Sequence, residues 1–165
     1  AFQAPIAPHI AAANSGISFD IASICRQITA ISADIRIVEG VGGWMVPLGP
    51  GHTLADLPAG LKCPVILVVG MRLGCLNHAL LSARAIAADG IELAGWIANF
   101  IEPDFAEAEA NLATLVERID APLLGNCIAG PAPQTEQARN SSKMNPPSLE
   151  FSDTLAALSQ PNPES

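Results

Sequence analysis

The run Pro64-Val65-Ile66-Leu67-Val68-Val69-Gly70 constrains the fold of this chain more than any other segment. It is continuous, apolar and rich in β-branched side chains, the pattern of a strand buried on both faces of a parallel sheet. Three shorter runs read as companions: Asp34-Ile35-Arg36-Ile37-Val38, Leu93-Ala94-Gly95-Trp96-Ile97-Ala98 and Ala121-Pro122-Leu123-Leu124-Gly125. Helical patterns lie between and before them. Ser18 or Asp20 can cap a helix to about Ser32, with Ile21, Ile24, Ile28 and Ile31 on one face. A second helix is expected from about Asn77 to Asp89, closed by Gly90, and a third from Glu102 or Asp104 to about Ile119. Strands alternating with helices over short loops predict an α/β fold, a parallel sheet flanked by helices.

Outside that alternation the chain is less regular. Residues Ala1 to Gly16 are Pro/Ala-rich and read as irregular, and Trp44 to Lys62 as a long connection with one short helix at Thr53 to Leu57. From Gly130 prolines punctuate a Ser/Asn/Gln-rich stretch. The organisation expected is therefore an α/β domain over 1–129 and a disordered tail over 130–165, with one weak helix near Asp153 to Leu158.

Composition narrows the function. Half of the 165 residues are hydrophobic, 15% are charged and the net charge is −8. Without a Lys/Arg cluster, a nucleic-acid partner is not expected. No apolar run approaches the ~20 residues of a membrane span. Cys25, Cys63, Cys75 and Cys127 are too irregularly spaced for a zinc site and suit free thiols in a reducing cytoplasm.

Ligands of parallel sheets bind beyond the carboxyl ends of the strands. Glu39 follows its strand at once, and a carboxylate there can hold Mg²⁺ beside phosphates. Gly40, Gly42 and Gly43 would let the backbone approach a phosphate. A tight turn with an exposed Glu is the competing explanation. Leu73-Gly74-Cys75-Leu76-Asn77-His78 opens a helix, where free N–H groups attract an anion, unless Asn77 is simply a cap. Asn99 can address an adenine edge or serve as a turn residue. Trp44 and Trp96 suit the core better than a cofactor.

Several of these segments together resemble one family. Val38-Glu39-Gly40-Val41-Gly42-Gly43-Trp44 with Pro47-Leu48 is similar to the VEGAGGW…PL segment of dethiobiotin synthetases. The Pro64 to Gly70 run followed by Leu73 to Ala79 is similar to their PVILV…LGCINHA. Leu93 to Asn99 resembles LAGWVAN, Ala121 to Gly125 matches APLLG, and Pro8-His9-Ile10 fits the SPH element. Order and spacing agree from about Pro5 to Gly125.

The resemblance implies a P-loop NTPase-like, Rossmann-like three-layer fold and a cytoplasmic homodimeric ligase of biotin biosynthesis. Such enzymes use ATP, Mg²⁺ and CO₂ or bicarbonate to close the ureido ring of dethiobiotin on 7,8-diaminopelargonic acid. By motif, Glu39 stands where the metal ligand does, and Glu39, Gly40, Val41 and Gly42 beside the ATP phosphates. Asn99 and Phe100 stand at the adenine, Ile128, Ala129 and Gly130 at a further nucleotide contact, and Gly74, Cys75, Leu76 and Asn77 at the substrate carboxylate across the dimer.

The chain departs from the family pattern too. No GxxxxGK[ST] motif occurs, and Lys62 and Lys143 occupy no family site, so no catalytic residue is assigned. The run Asn126 to Gly130 differs from the family's sequence there. The chain is accordingly expected to be the carboxyl-terminal portion of such an enzyme, incomplete at its N-terminus and inactive by itself. A non-catalytic dimerising module, or an amidoligase of cobyrinate-synthase type, is the alternative.

Overall fold

A computed structural model describes residues 6–102 and 104–128. The stretch 130–165, with the helix anticipated there, lies outside the described residues, as do Ala129 and Gly130. The described residues divide into two compact units, 6–65 with Arg84–Glu92 and Ile66–Ala83 with 93–128.

In the first unit, α1 (Pro8–Asn14) occupies a stretch that the sequence suggested was irregular. Its reason is local: Pro8 sits in the first turn, where its missing N–H costs nothing, and three alanines follow. Ser15 Oγ donates back to the Ala11 carbonyl at 2.9 Å. α2 (Ile21–Thr29) starts as anticipated, with the Asp20 carboxylate accepting from the Ala22 N–H at 3.1 Å. It ends three residues earlier than the apolar spacing suggests, and Ile31 is left exposed.

The strand expected at 34–38 does not form. Residues 31–40 are exposed throughout, Ile37 to 91%. Alternating apolar residues favour a strand only where a neighbouring strand supplies hydrogen bonds and a face to pack on, and the described structure pairs nothing with this segment. The long connection instead holds a small antiparallel hairpin, β1 (Pro47–Gly49) and β2 (His52–Thr53), followed by α3 (Asp56–Leu61).

α3 closes in a Schellman turn: the Lys62 N–H donates to Ala59 O and the Cys63 N–H to Pro58 O. The left-handed residue is Lys62, at φ 53°, where glycine is the usual occupant. A side chain in that conformation costs about 1 kcal/mol. Lys62→Gly is therefore expected to stabilise the chain by about 0.5–1 kcal/mol, read as a raised urea midpoint with unchanged slope. A lowered midpoint would show that the lysine stem contributes more by packing than its backbone costs.

The second unit carries the sheet, in the order β3 (Val65–Met71), β4 (Leu93–Phe100), β5 (Leu123–Ile128). β4 and β5 are parallel, as anticipated, with Asn99 opposite Cys127 and Phe100 opposite Ile128. Val69, Met71, Trp96 and Ala98 from the strands pack with Cys75 and Ala79 of α4 (Cys75–Ala88), with Leu115 of α5 (Ala108–Arg118), and with Ile119. Gly95 is required by close approach: a Cβ there would lie 2.6 Å from Leu124 Cγ.

Two expectations are corrected here. β3 is not covered on both faces: its odd-numbered residues turn to the core, whereas Ile66 and Val68 are 39% and 57% exposed. α5 begins at Ala108 rather than near Glu102, because a turn, with Phe105 N–H donating to Glu102 O, precedes it. α4 begins two residues before the expected start and ends as anticipated at Gly90, φ 71°. There Gly90 donates to Ala87 O and Ile91 to Ile86 O.

Candidate functional site

α4 follows β3 after a three-residue loop, so its first turn sits just beyond a strand end. Gly74 adopts φ 91° and makes the sharp entry possible. Cys75 N–H is taken by Arg72 O and His78 N–H by Gly74 O. Among the described residues, the N–H groups of Leu76 and Asn77 make no backbone hydrogen bond. These two donors, at the positive end of a 14-residue helix, can receive a carboxylate or phosphate.

The side chains here divide into two roles. Cys75 is 2% exposed within the core, and Leu76 packs against that core, so both serve the fold through their side chains. Asn77 is exposed and lies inside the helix, not at the cap that its sequence position suggests. A cavity of about 270 Å³ next to this turn is lined by Arg72, Cys75 and His78, with Val68 and Ile101 as apolar wall; Gly74, Leu76 and Asn77 border it in sequence but do not line it. The Arg72 guanidinium over an apolar wall suits an aliphatic carboxylate.

At the other strands, the candidate residues lie at the strand ends, Phe100 and Ile128 as the last residues of β4 and β5 and Asn99 one position inside. β4 continues through Asn99 and Phe100, and β5 through Asn126 to Ile128. Strand alternation separates the roles of the first pair. Trp96, Ala98 and Phe100 contribute to the core or pack against it, and Asn99 turns half-exposed to the opposite face together with its register partner Cys127. Asn99 is thus available for a ligand in a way that Phe100, partly committed to packing, is not. Ile128, 77% exposed, ends β5 next to Phe100. The structure therefore brings Asn99, Phe100 and Ile128 to the same end of two neighbouring strands.

Glu39, Gly40, Val41 and Gly42 belong to the first unit and follow no strand. Glu39 is exposed. The glycines have packing reasons: a Cβ on Gly40 would meet Leu54 Cδ2 at 2.7 Å, and one on Gly42 would meet Val46 Cγ2 at 2.9 Å. Gly42 and Gly43 are also left-handed, at φ 96° and 111°. No group of three His, Cys, Asp or Glu side chains able to hold a metal occurs among the described residues. One carboxylate does not make a protein-only metal cage, but it fits a Mg²⁺ carried on nucleotide phosphates and largely hydrated.

The first unit also has an open cleft of about 990 Å³, lined by Phe19, Cys25, Arg26 and His52 among others. None of the candidate residues lines it. His52 is oriented there by Asp56, whose Oδ2 lies 3.1 Å from His52 Nδ1 and also accepts from the Thr53 N–H at 2.9 Å. In the sequence this pair is marked only by a weak local signal, its i, i+4 spacing beside a hairpin turn.

Residues 1–129 match a family model described as AAA domain. The chain is 51% identical over 139 residues to the ATP-dependent dethiobiotin synthetase of Pseudomonas paraeruginosa, covering 80% of this chain and 61% of that protein. It is 57% identical over 125 residues to the enzyme of that name from Aromatoleum aromaticum, covering 74% of this chain and 56% of the relative. For Cellvibrio japonicus the figures are 52% over 128 residues, 76% and 56%. The chain thus spans about three-fifths of the length of these curated relatives.

These matches correct one expectation. The missing GxxxxGK[ST] motif leads to the expectation of a carboxyl-terminal portion whose P-loop NTPase-like domain is incomplete at the N-terminus. The domain match instead starts at residue 1, and the likeness takes in three-quarters or more of the chain in the first-mentioned and last-mentioned relatives. No helix among the described residues is long and apolar enough to cross a membrane.

Proposed function

The chain belongs to the AAA domain family, and from that premise we propose that it acts as an ATP-dependent dethiobiotin synthetase. One observation carries this reading furthest. The opening of α4 presents two free N–H donors beside Arg72 and His78, at the segment similar to the family's LGCINHA. Such a site matches the carboxylate end of 7,8-diaminopelargonic acid, and the apolar wall of Val68 and Ile101 matches its aliphatic chain.

In this reading the diamine reacts with CO₂ to give a carbamate, ATP phosphorylates the carbamate, and the second amine displaces phosphate to close the ring. Gly74, Leu76 and Asn77 hold the carboxylate through backbone groups and so place the diamine end. Asn99 receives the adenine edge, with Phe100 and Ile128 as apolar support. Glu39 would hold Mg²⁺, with Gly40, Val41 and Gly42 near the phosphates. When bound, the metal neutralises phosphate charge. The chain's own contribution is then mainly positioning. The substrate clamp is assigned to act across a homodimer.

The test is formation of dethiobiotin from the diamine, bicarbonate, ATP and Mg²⁺, followed by mass spectrometry with ADP release measured in parallel. One ADP per product is expected. Asn99→Ala should raise the KM for ATP about 10-fold, the equivalent of one lost pair of hydrogen bonds, and leave the KM for the diamine unchanged. ADP release that does not depend on the diamine would overturn the assignment.

A further inference from the structure

We propose that Cys25 and Cys63 form a thiol pair that a small-molecule disulfide can oxidise to an intramolecular cross-link tying α2 to the end of α3. Both cysteines are tied to α3, Cys25 through its thiol and Cys63 through its backbone. Cys25, on α2, lies 3.9 Å by its Sγ from the Leu57 carbonyl. The same sulfur would sit 2.8 Å from a Cβ built on Gly60, so only the missing side chain of Gly60 lets it approach. Cys63 is three residues beyond Gly60, and the Schellman turn folds it back over the helix, its N–H donating to Pro58 O. The Cys25 thiol thus packs on the final turn of α3, the turn from which the Cys63 backbone leads out, and the charge of Cys25 reaches Cys63.

Both cysteines are half-buried, but only Cys25 lines the open cleft, and that sets the order of events. Cys25 lines the open cleft of the first unit, so a reagent can reach it. Cys63 is half-buried; burial pushes its thiol above the ordinary range, and a thiolate on Cys25 pushes it further. It therefore suits the second step. Cys25 thiolate attacks one sulfur of the reagent RSSR, forming Cys25–S–S–R and releasing RS⁻. Cys63, losing its proton to water, attacks the Cys25 sulfur and expels the second RS⁻. Two protein thiols are oxidised and one disulfide is reduced to two thiols.

The full chain and oxidised glutathione provide the test. Tryptic cleavage after Arg26, Lys62, Arg72, Arg84 and Arg118 puts the four cysteines on four different peptides. The expected result is one dominant cross-linked pair, 25 with 63, in monomeric protein. It should form about 10-fold faster in native chain than in urea, reflecting the local concentration the fold imposes. Its rate should rise with pH, because Cys63 must ionise. Cys63→Ser should stop at the mixed disulfide on Cys25. Cross-links shared with Cys75 or Cys127, cross-links only between chains, or equal native and urea rates would each overturn the proposal.

Discussion

Trp96→Ala is expected to lower the unfolding free energy by about 3–5 kcal/mol. The indole is fully buried in β4, packed among Val69, Met71, Leu115 and Ile119, and is one of the largest such side chains. Its removal opens a cavity at the place where β3, β4, α4 and α5 meet. Domains are stable by only about 5–15 kcal/mol, so the variant should be close to unfolding at 37 °C. A second substitution separates volume from polarity. Trp96 Nε1 is buried without a partner among the described residues, and an unsatisfied donor costs about 1–3 kcal/mol. Trp96→Phe keeps most of the ring volume and removes that donor. It should cost far less than Ala, under about 1.5 kcal/mol. Urea unfolding followed by far-UV circular dichroism measures both. Equal losses for Phe and Ala would show that the N–H does have a partner.

What was legible in the sequence is what is decided locally. The Asp20 cap needs only its own carboxylate and the next N–H groups. The Gly90 stop needs only one left-handed residue. β3 and β4 are continuous apolar runs with little alternative. What was not legible depends on partners. The segment 34–38 has the composition of a strand, but a strand is a property of a pair, and no neighbour is found for it. β5 runs on through Asn126 and Cys127, residues expected in a loop, because the parallel register with Ala98 and Asn99 satisfies their backbone. That extension moves Ile128 from a loop to a strand end.

The candidate site follows the same division. Each loop could be named from its residues, since glycines, a helix start and a strand-end Asn each have a recognisable chemistry. Which side chains remain free could not. Cys75 and Asn77 are two residues apart in one motif, yet one is in the core and the other in solvent. Asn99 and Phe100 are adjacent, and the alternation of the strand sends them to opposite faces. Periodicity contains this information only once the element boundaries are known, and those differ from expectation by as much as six residues, at the start of α5.

Glu39→Gln is the substitution that most sharply divides the two explanations of the glycine loop. If Glu39 is only an exposed turn residue, the change is silent. If it holds Mg²⁺ beside the ATP phosphates, as proposed, the isosteric amide keeps the shape but removes the negative charge. The expected result is a kcat for dethiobiotin formation lower by about 100-fold, the size of one lost electrostatic contact to the transition state, and a higher KM for Mg²⁺. Stability should not move, because Glu39 is exposed and makes no hydrogen bond or ion pair among the described residues. That separation is what makes the test decisive. Gly42→Ala, in contrast, must disturb the loop itself, through φ 96° and the 2.9 Å approach to Val46, and would lower activity under either explanation. An activity for Glu39→Gln within about threefold of the parent, at saturating Mg²⁺ and ATP, would reduce this carboxylate to part of a turn.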